Sequence, residues 1–248
     1  MINPLKDRKK SKVLNSSKRT LITATNPKSP IAEQYRAIRT SMQFSMIDKE
    51  LRTLLCTSGS PSEGKSTTTS NLAVTLAQQG QKVLLVDADL RKPTIHQVLQ
   101  VSNKRGLSSL ITKKVAIKDA VVTKTNVNGL HVLTSGPIPP NPSEMLGSSA
   151  MGELIDELLE LYDIVLFDTP PILAVADALV LANYCDGAIL VLRSHQTEKK
   201  NLVKAKELLH RSNVNVLGAV LNGVDSKHAD YSNYYGVAAS AYGIGVDK

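Results

Sequence analysis

The chain has 248 residues, 42% of them hydrophobic and 21% charged, a composition typical of a soluble globular protein built on one large α/β domain. Its net charge of +8 is uneven: residues 1–19 carry +6, so the remainder is nearly neutral and gives no reason to expect a specific nucleic-acid partner. Its apolar runs are far shorter than the roughly 20 residues that span a bilayer, and the N-terminus lacks a signal-peptide core, so we expect a cytoplasmic protein.

Residues 1–20 are predicted to be a basic, disordered leader. It contains one acidic residue and seven basic ones: Asp7, Lys6, Arg8, Lys9, Lys10, Lys12, Lys18 and Arg19. A solvated tail is the plain interpretation of such a segment. The alternative is attraction to an anionic membrane surface, at roughly 1 kcal/mol per basic residue close to the surface.

A helix with two stripes is predicted at the start of the fold, in SPIAEQYRAIRTSMQFSMI. Its apolar stripe repeats at spacings of four, three and four, through Ile31, Tyr35, Ile38 and Met42. Three charged residues repeat every third position and form a polar stripe beside it: Glu33, Arg36 and Arg39. Taken alone, such a polar stripe is usually a solvated face.

Short apolar runs then alternate with amphipathic stretches of helical length as far as residue 224. The runs predict strands buried on both faces: LRTLLCTS, KVLLVDAD, LHVLTSG, YDIVLFDTP, GAILVLRS and NVLGAVLNG. KSTTTSNLAVTLAQQG is an example of the helices between them, with Gly80 as its stop signal. The alternation predicts βαβ units and a mostly parallel central sheet flanked by helices, within a domain of residues 21–224.

A phosphate-binding loop is predicted in GSPSEGKST, which follows the first strand and opens a helix. It fits the pattern G-x-x-x-x-G-K-[ST] through Gly59, Gly64, Lys65 and Ser66. Successive N–H groups and the helix N-terminus cradle phosphate oxygens in such a loop, the lysine reaches the outer phosphates, and the hydroxyl can ligate Mg²⁺. The predicted nucleotide-binding set is Gly59, Ser60, Glu63, Gly64, Lys65, Ser66 and Thr67.

Three aspartates follow buried strands and are predicted to meet at the phosphate loop. Asp87 and Asp89 come after the second strand, and Asp168 ends the YDIVLFDTP strand. Ligands of open parallel sheets bind at the carboxyl ends of strands, so these carboxylates predict Mg²⁺ binding and catalysis, although a single such aspartate would more often cap a helix or a turn. Asn222, after the last strand, is predicted either to bond the adenine edge or simply to form a turn.

These motifs resemble a known family of enzymes. The phosphate loop, the acidic DAD motif and FDTPP are shared with MinD/ParA-type P-loop ATPases, but Ser60 stands where those carry a signature lysine. DADLRKP, LTSGPIPPNPSEML, FDTPPILAVADA and EQYRAIR together resemble the bacterial tyrosine kinases (BY-kinases), typified by CapB and the cytosolic domain of Wzc. One departure is Ser62, where members of the family usually have glycine; we expect at most a changed affinity.

The resemblance implies an ATP- and Mg²⁺-dependent protein-tyrosine kinase. Lys65, Asp87, Asp89 and Asp168 are its expected catalytic residues, with Asp87 as base and Ser66, Asp89 and Asp168 around the metal, although Asp87 and Asp89 could exchange roles. Residues 225–248 hold four of the seven tyrosines, and the implied phosphoacceptors are Tyr231, Tyr234, Tyr235 and Tyr242. The alternative for these tyrosines is packing against the domain.

The family resemblance also implies partners. It predicts phosphorylation in trans within a ring of subunits, with Glu33, Arg36 and Arg39 at the contact between neighbours. It further implies a membrane adaptor that activates the kinase at the inner face of the cell membrane, a cognate phosphotyrosine phosphatase, and protein substrates in capsular or extracellular polysaccharide synthesis and export. Two alternative functions remain: a MinD/ParA-type ATPase that positions cargo or membranes without phosphorylating protein, and a catalytically weak structural scaffold in a polysaccharide export complex.

Overall fold

A seven-stranded sheet organises the described part of the chain, residues 21–46, 50–212 and 214–224 of the computed structural model. The strands are β1 Thr53–Ser58, β2 Val83–Asp87, β3 Val121–Val122, β4 Leu130–Leu133, β5 Ile164–Asp168, β6 Gly187–Arg193 and β7 Asn215–Asn222. They lie in the order β3-β4-β2-β5-β1-β6-β7, and every neighbouring pair is parallel except β3 with β4. The predicted α/β class with a mostly parallel sheet is therefore confirmed.

Helices cover both faces of this sheet. They are α1 Ile22–Thr25, α2 Pro30–Phe44, α3 Lys65–Gln78, α4 Ile95–Val98, α5 Leu107–Ile111, α6 Ile117–Ala120, α7 Pro142–Leu146, α8 Ser149–Leu161, α9 Asp177–Ala182 and α10 Lys199–Arg211. Successive residues of β1 feed opposite sides: Leu54 and Cys56 pack into the cluster under α2 and α3, whereas Leu55 packs with α8 and α9. Because the central strands are buried on both faces, their sequences are continuous apolar runs.

Local signals set the ends of the two helices that matter most for the site. The Ser29 hydroxyl caps α2 by accepting from the Ala32 N–H at 3.2 Å, and Pro30 takes the first helical position. Helix α3 begins directly after Gly64, and Gly80, at φ 97°, follows its end as predicted.

One prediction of burial is wrong, and the apolar stripe of α2 is only partly buried. Strand β7 is an edge strand of the described sheet and is not buried on both faces, because it pairs with β6 alone and leaves Leu221 56% exposed. In α2, Tyr35 and Met42 are buried, but Ile31 is 49% exposed in the first turn, and Ala32 is buried instead. Strand β3 was not predicted, since its two residues are too short for a pattern.

The predicted leader, residues 1–20, and the predicted tail, residues 225–248, lie outside the described residues. Among the residues that are described, no helix is both long enough and apolar enough to cross a membrane.

Candidate active site

The phosphate loop joins β1 to α3 and lies at the carboxyl end of the sheet. Gly64 adopts φ 96°, a backbone conformation that is unfavourable for any residue other than glycine. A Cβ added at this position would also lie 1.9 Å from the Asn222 amide nitrogen. Ser62 adopts φ 66° with a side chain present. The loop at Ser62 therefore has the backbone geometry that glycine adopts most easily.

A buried glutamate braces the loop from inside. Glu63 is 1% exposed, and its carboxylate accepts from the Ser60 N–H at 2.9 Å and from the Thr197 hydroxyl. Thr197 in turn accepts from the Arg193 N–H at 2.8 Å, which ties the loop to the end of β6. Glu63 and Ser60, both in the predicted nucleotide-binding set, thus stabilise the loop through the glutamate side chain. The sequence did not predict the part played by Thr197, because it belongs to no recognisable motif.

The three predicted aspartates meet as expected at the ends of adjacent strands. Asp87 and Asp168 are paired in register where β2 and β5 run side by side, and Asp89 lies two residues further along the chain. The Lys65 ammonium donates to Asp89 at 3.0 Å and lies 3.8 Å from an Asp168 oxygen. Burial lowers the pKa of Lys65, but attraction to Asp168 and Asp89 outweighs it, so the pKa lies above its ordinary value and the lysine stays charged.

Asp87 is the most perturbed acid of this cluster. Its side chain is fully buried, and one carboxylate oxygen accepts from the N–H groups of Thr94 (3.0 Å) and Ile95 (2.9 Å). The other oxygen is buried with no hydrogen-bond partner among the described residues. Burial and repulsion from Asp168 raise the pKa of Asp87 to about 8, despite the hydrogen bond from Ile95.

The donor chemistry at this end of the sheet fits Mg²⁺. The Ser66 hydroxyl, at the start of α3, lies 3.4 Å from the Lys65 ammonium, so one hydroxyl and two carboxylates lie within 4 Å of that ammonium. No group of three or more His, Cys, Asp or Glu side chains in the described ranges is arranged to hold a metal by itself. Mg²⁺ fits such a site because it keeps several waters and usually takes one or two carboxylates plus substrate phosphates.

The remaining predicted nucleotide-binding residues border the loop. Thr67 lies in the first turn of α3, and Gly59 begins the loop beside α10. The Asn222 amide donates to the Glu63 carbonyl at 3.1 Å and covers Gly64. This contact stabilises the loop, a role that differs from the two predicted for Asn222, an adenine contact or a turn.

The polar stripe of α2 divides into two parts. Arg36 forms an ion pair with Glu33 and donates to the Pro27 carbonyl, all near the surface. Arg39 instead donates to the Thr75 carbonyl of α3 at 2.8 Å. Thr75 is among the last four residues of α3, so Arg39 satisfies a free helix carbonyl and complements the helix dipole within its own subunit.

An ion pair that sequence reasoning missed lies beside the aspartates. Arg91 binds the buried Asp177 through two hydrogen bonds of 2.9 Å, and the Ser143 hydroxyl donates to the same carboxylate. The three residues belong to DADLRKP, FDTPPILAVADA and LTSGPIPPNPSEML, the segments that carried the family resemblance. Their occurrence in these three segments was the feature of the sequence that could have indicated the ion pair.

The predicted phosphoacceptors Tyr231, Tyr234, Tyr235 and Tyr242 lie outside the described residues, as does the basic leader.

Comparison with known proteins identifies the family. An AAA domain model matches residues 62–211. Tyrosine-protein kinase YwqD of Bacillus subtilis (strain 168) is 52% identical over 219 residues, which cover 88% of this chain and 92% of YwqD. The solved kinase domain of Escherichia coli tyrosine kinase ETK superposes with a TM-score of 0.80 at 37% identity, covering 84% of this chain and 82% of that chain.

The ATPase MinD of Pyrococcus horikoshii OT3, solved in complex with Mg-ADP, shares the fold at a greater distance. Its TM-score is 0.60 at 25% identity, with 75% of this chain and 76% of that chain covered. The fold is therefore that of a nucleotide-binding P-loop ATPase, while the sequence is nearer to the kinases. The chain belongs to the bacterial tyrosine kinase family and is a protein-tyrosine kinase.

Proposed function

We propose that the kinase uses Mg²⁺ and ATP to phosphorylate the tyrosine cluster of residues 225–248, on a neighbouring copy of the chain. The observation that carries this proposal is the convergence of Lys65 with Asp87, Asp89 and Asp168 at the phosphate loop. Such a cluster supplies a cation for the γ-phosphate and oxygen ligands for a metal.

Each residue has a defined part in the transfer. The tyrosine hydroxyl oxygen attacks the γ-phosphorus, the bond to the β–γ bridging oxygen breaks, ADP leaves, and the hydroxyl proton passes to a carboxylate. Asp87 is the proposed base, because a pKa raised to about 8 is close to the operating pH, where general-base catalysis is most effective. Bound Mg²⁺, held by Ser66, Asp89 and Asp168, supplies charge that stabilises the transferring phosphoryl group.

The test of this activity is phosphosite mapping. Full-length chain is incubated with labelled ATP and Mg²⁺, with and without a partner's activating segment, and compared with Lys65→Met. We expect phosphotyrosine beyond residue 224 in the wild type and none in Lys65→Met, because this substitution removes the cation expected beside the γ-phosphate. Lys82→Met, a loss of charge away from the site, is the matched control and should leave the label unchanged.

The direction of transfer needs a mixing experiment. A Lys65→Met chain with its tail intact is mixed with an active chain whose Tyr231, Tyr234, Tyr235 and Tyr242 are phenylalanine. Phenylalanine keeps the ring but removes the acceptor oxygen. Label on the Lys65→Met chain, at a rate that rises with total concentration, supports transfer in trans; label on neither chain refutes it.

We also propose that the outer part of the α2 stripe contacts the next subunit of a ring. Glu33 and Arg36 are available for this, whereas Arg39 is already bonded to α3. The test is therefore Glu33→Ala with Arg36→Ala, leaving Arg39 intact, measured by light scattering in the presence of nucleotide. A smaller assembly that still binds ADP supports the contact, and an unchanged assembly refutes it.

The cellular setting is proposed from the family resemblance and the charge of the leader. A membrane adaptor would recruit and activate the kinase at the inner face of the cell membrane, a phosphotyrosine phosphatase would reverse the modification, and polysaccharide synthesis and export would be regulated. Flotation of the full chain with anionic and neutral vesicles tests the leader's part. Binding to anionic vesicles that persists after the seven basic residues of positions 1–19 are replaced by glutamine would refute it.

A further inference from the structure

The Arg91–Asp177 ion pair, with Ser143, joins one loop and two helices at the catalytic end of the sheet. Arg91 follows the DAD motif after β2, Asp177 begins α9, and Ser143 lies in α7. The Nε and Nη2 atoms of Arg91 donate to the two carboxylate oxygens of Asp177, each at 2.9 Å. The Nη2 atom also lies 3.2 Å from the Ser143 hydroxyl oxygen. This paired geometry fixes direction as well as distance, which a single lysine ammonium would not do.

The two charges differ in burial, and the difference identifies the anchor. The Asp177 side chain is fully buried, whereas that of Arg91 is 40% exposed. A buried carboxylate without its cation is costly, so Asp177 has a strong preference for keeping Arg91 in place. The residue that is held is therefore the arginine, and with it the loop on which it lies.

The same loop carries one of the predicted metal ligands. One oxygen of Asp89 accepts from the backbone N–H groups of Arg91 (3.3 Å) and Lys92 (2.9 Å), and the other accepts from Lys65 at 3.0 Å. Any shift of the Arg91 backbone thus moves the donors that orient the Asp89 carboxylate. The side chain of Arg91, on the same residue as one of these donors, is the group bonded to Asp177.

We propose that Arg91 is a positioning residue, which holds the loop of Asp89 in register with Lys65 by anchoring it to Asp177 and Ser143. The proposal rests on the kinase activity, since it assigns no contact with substrate to Arg91. Misplacing a reacting group by about 1 Å can cost on the order of 100-fold in rate. A loosened loop should therefore slow phosphoryl transfer more than it weakens ATP binding, which the phosphate loop provides.

The experiment uses full-length chains with two mild changes and one matched control. Arg91→Lys keeps the charge but loses the paired geometry, and Asp177→Asn frees an arginine that water can still solvate. Arg105→Lys makes the same exchange at an exposed arginine. We expect both site variants to fold, to speed amide exchange about tenfold across residues 88–92 without nucleotide, and to lower kcat for phosphotyrosine about 10- to 100-fold. KM for ATP should stay within about threefold, since Lys65 and the loop N–H groups are unchanged.

A double variant separates the effect of the ion pair on the position of the Asp89 loop from its effect on the stability of the protein. Arg91→Met with Asp177→Leu replaces the ion pair by apolar side chains, an exchange that often preserves or improves stability. We expect its Tm to be near that of the wild type while kcat remains low and exchange in residues 88–92 remains fast. Recovery of kcat together with Tm, or exchange as slow as in the wild type for Arg91→Lys, would overturn the proposal. A wild type without phosphotyrosine would count against the proposed tail phosphorylation alone, because the exchange measurement still decides the role of Arg91.

Discussion

Replacing Asp87 with asparagine should stabilise the nucleotide-free kinase while abolishing its activity. Asp87 is fully buried and its pKa is raised from 3.8 to about 8. In the unfolded chain this acid ionises near pH 4, so the folded state binds the extra proton between about pH 4 and 8. Stability is therefore lost as the pH rises through that window, by about 1.4 kcal/mol per unit, or on the order of 4 kcal/mol at pH 7.

Asparagine does not titrate, and it keeps an acceptor oxygen for the N–H groups of Thr94 and Ile95. We expect Tm at pH 7 to rise by roughly 5–10 °C relative to the wild type, at about 2–4 °C per kcal/mol for a chain of this size, once some of the gain is lost to imperfect packing of the amide. At pH 5 the difference should shrink to less than half. The pH dependence is the informative part of the result.

The assay is thermal unfolding followed by circular dichroism at pH 5, 6, 7 and 8, with EDTA and without nucleotide. Asp156→Asn, at an exposed carboxylate of α8, is the control and should shift stability by no more than about 0.5 kcal/mol. The reasoning is refuted if Asp87→Asn unfolds at a lower temperature than the wild type at pH 7, or if its advantage does not grow with pH.

Three further predictions concern the phosphate loop. Ser62→Gly should raise Tm by a degree or two, since it removes a left-handed cost of about 1–2 kcal/mol against a glycine entropy cost of about 0.5–1 kcal/mol; a fall in Tm would contradict this. Gly64→Ala should weaken ADP binding at least tenfold in a fluorescence titration, and adding Asn222→Ala should restore only part of it, because the positive φ of residue 64 remains. Glu63→Ala should weaken ADP binding about tenfold, since it removes the charged acceptor of the Ser60 N–H. Glu63→Gln should weaken it less, and equal affinities for the two variants would count against the brace.

Periodicity and local motifs predicted most of the fold. The six apolar runs each contain a strand, and for the five strands inside the sheet the reason is that buried parallel strands need apolar residues on both faces. The convergence of Asp87, Asp89 and Asp168 also followed from the sequence, since parallel strands that follow crossover helices bring their carboxyl ends to one edge.

Features that depend on a partner distant in sequence could not be predicted. Arg39 looked like part of a surface stripe, and its bond to Thr75 depends on how α2 packs against α3. The exposure of β7 depends on its place at the edge of the sheet rather than on its composition. The hydroxyl that Thr197 donates to the Glu63 carboxylate lies 134 positions from Glu63 in the sequence, so no local pattern could indicate this contact.

The described tyrosines favour the tail as the source of the acceptor. Tyr35 is buried under α3, and burial raises the pKa of its hydroxyl. The Tyr162 hydroxyl is bonded to His131 at 2.9 Å, and the Tyr184 hydroxyl lies against the carbonyls that precede α8. Each of these hydroxyls already has a contact within its own subunit, and Asp87 and Asp168 beside the phosphate loop are fully buried. The four remaining tyrosines of the chain all lie in residues 225–248, which supports the proposal that the acceptor comes from that segment.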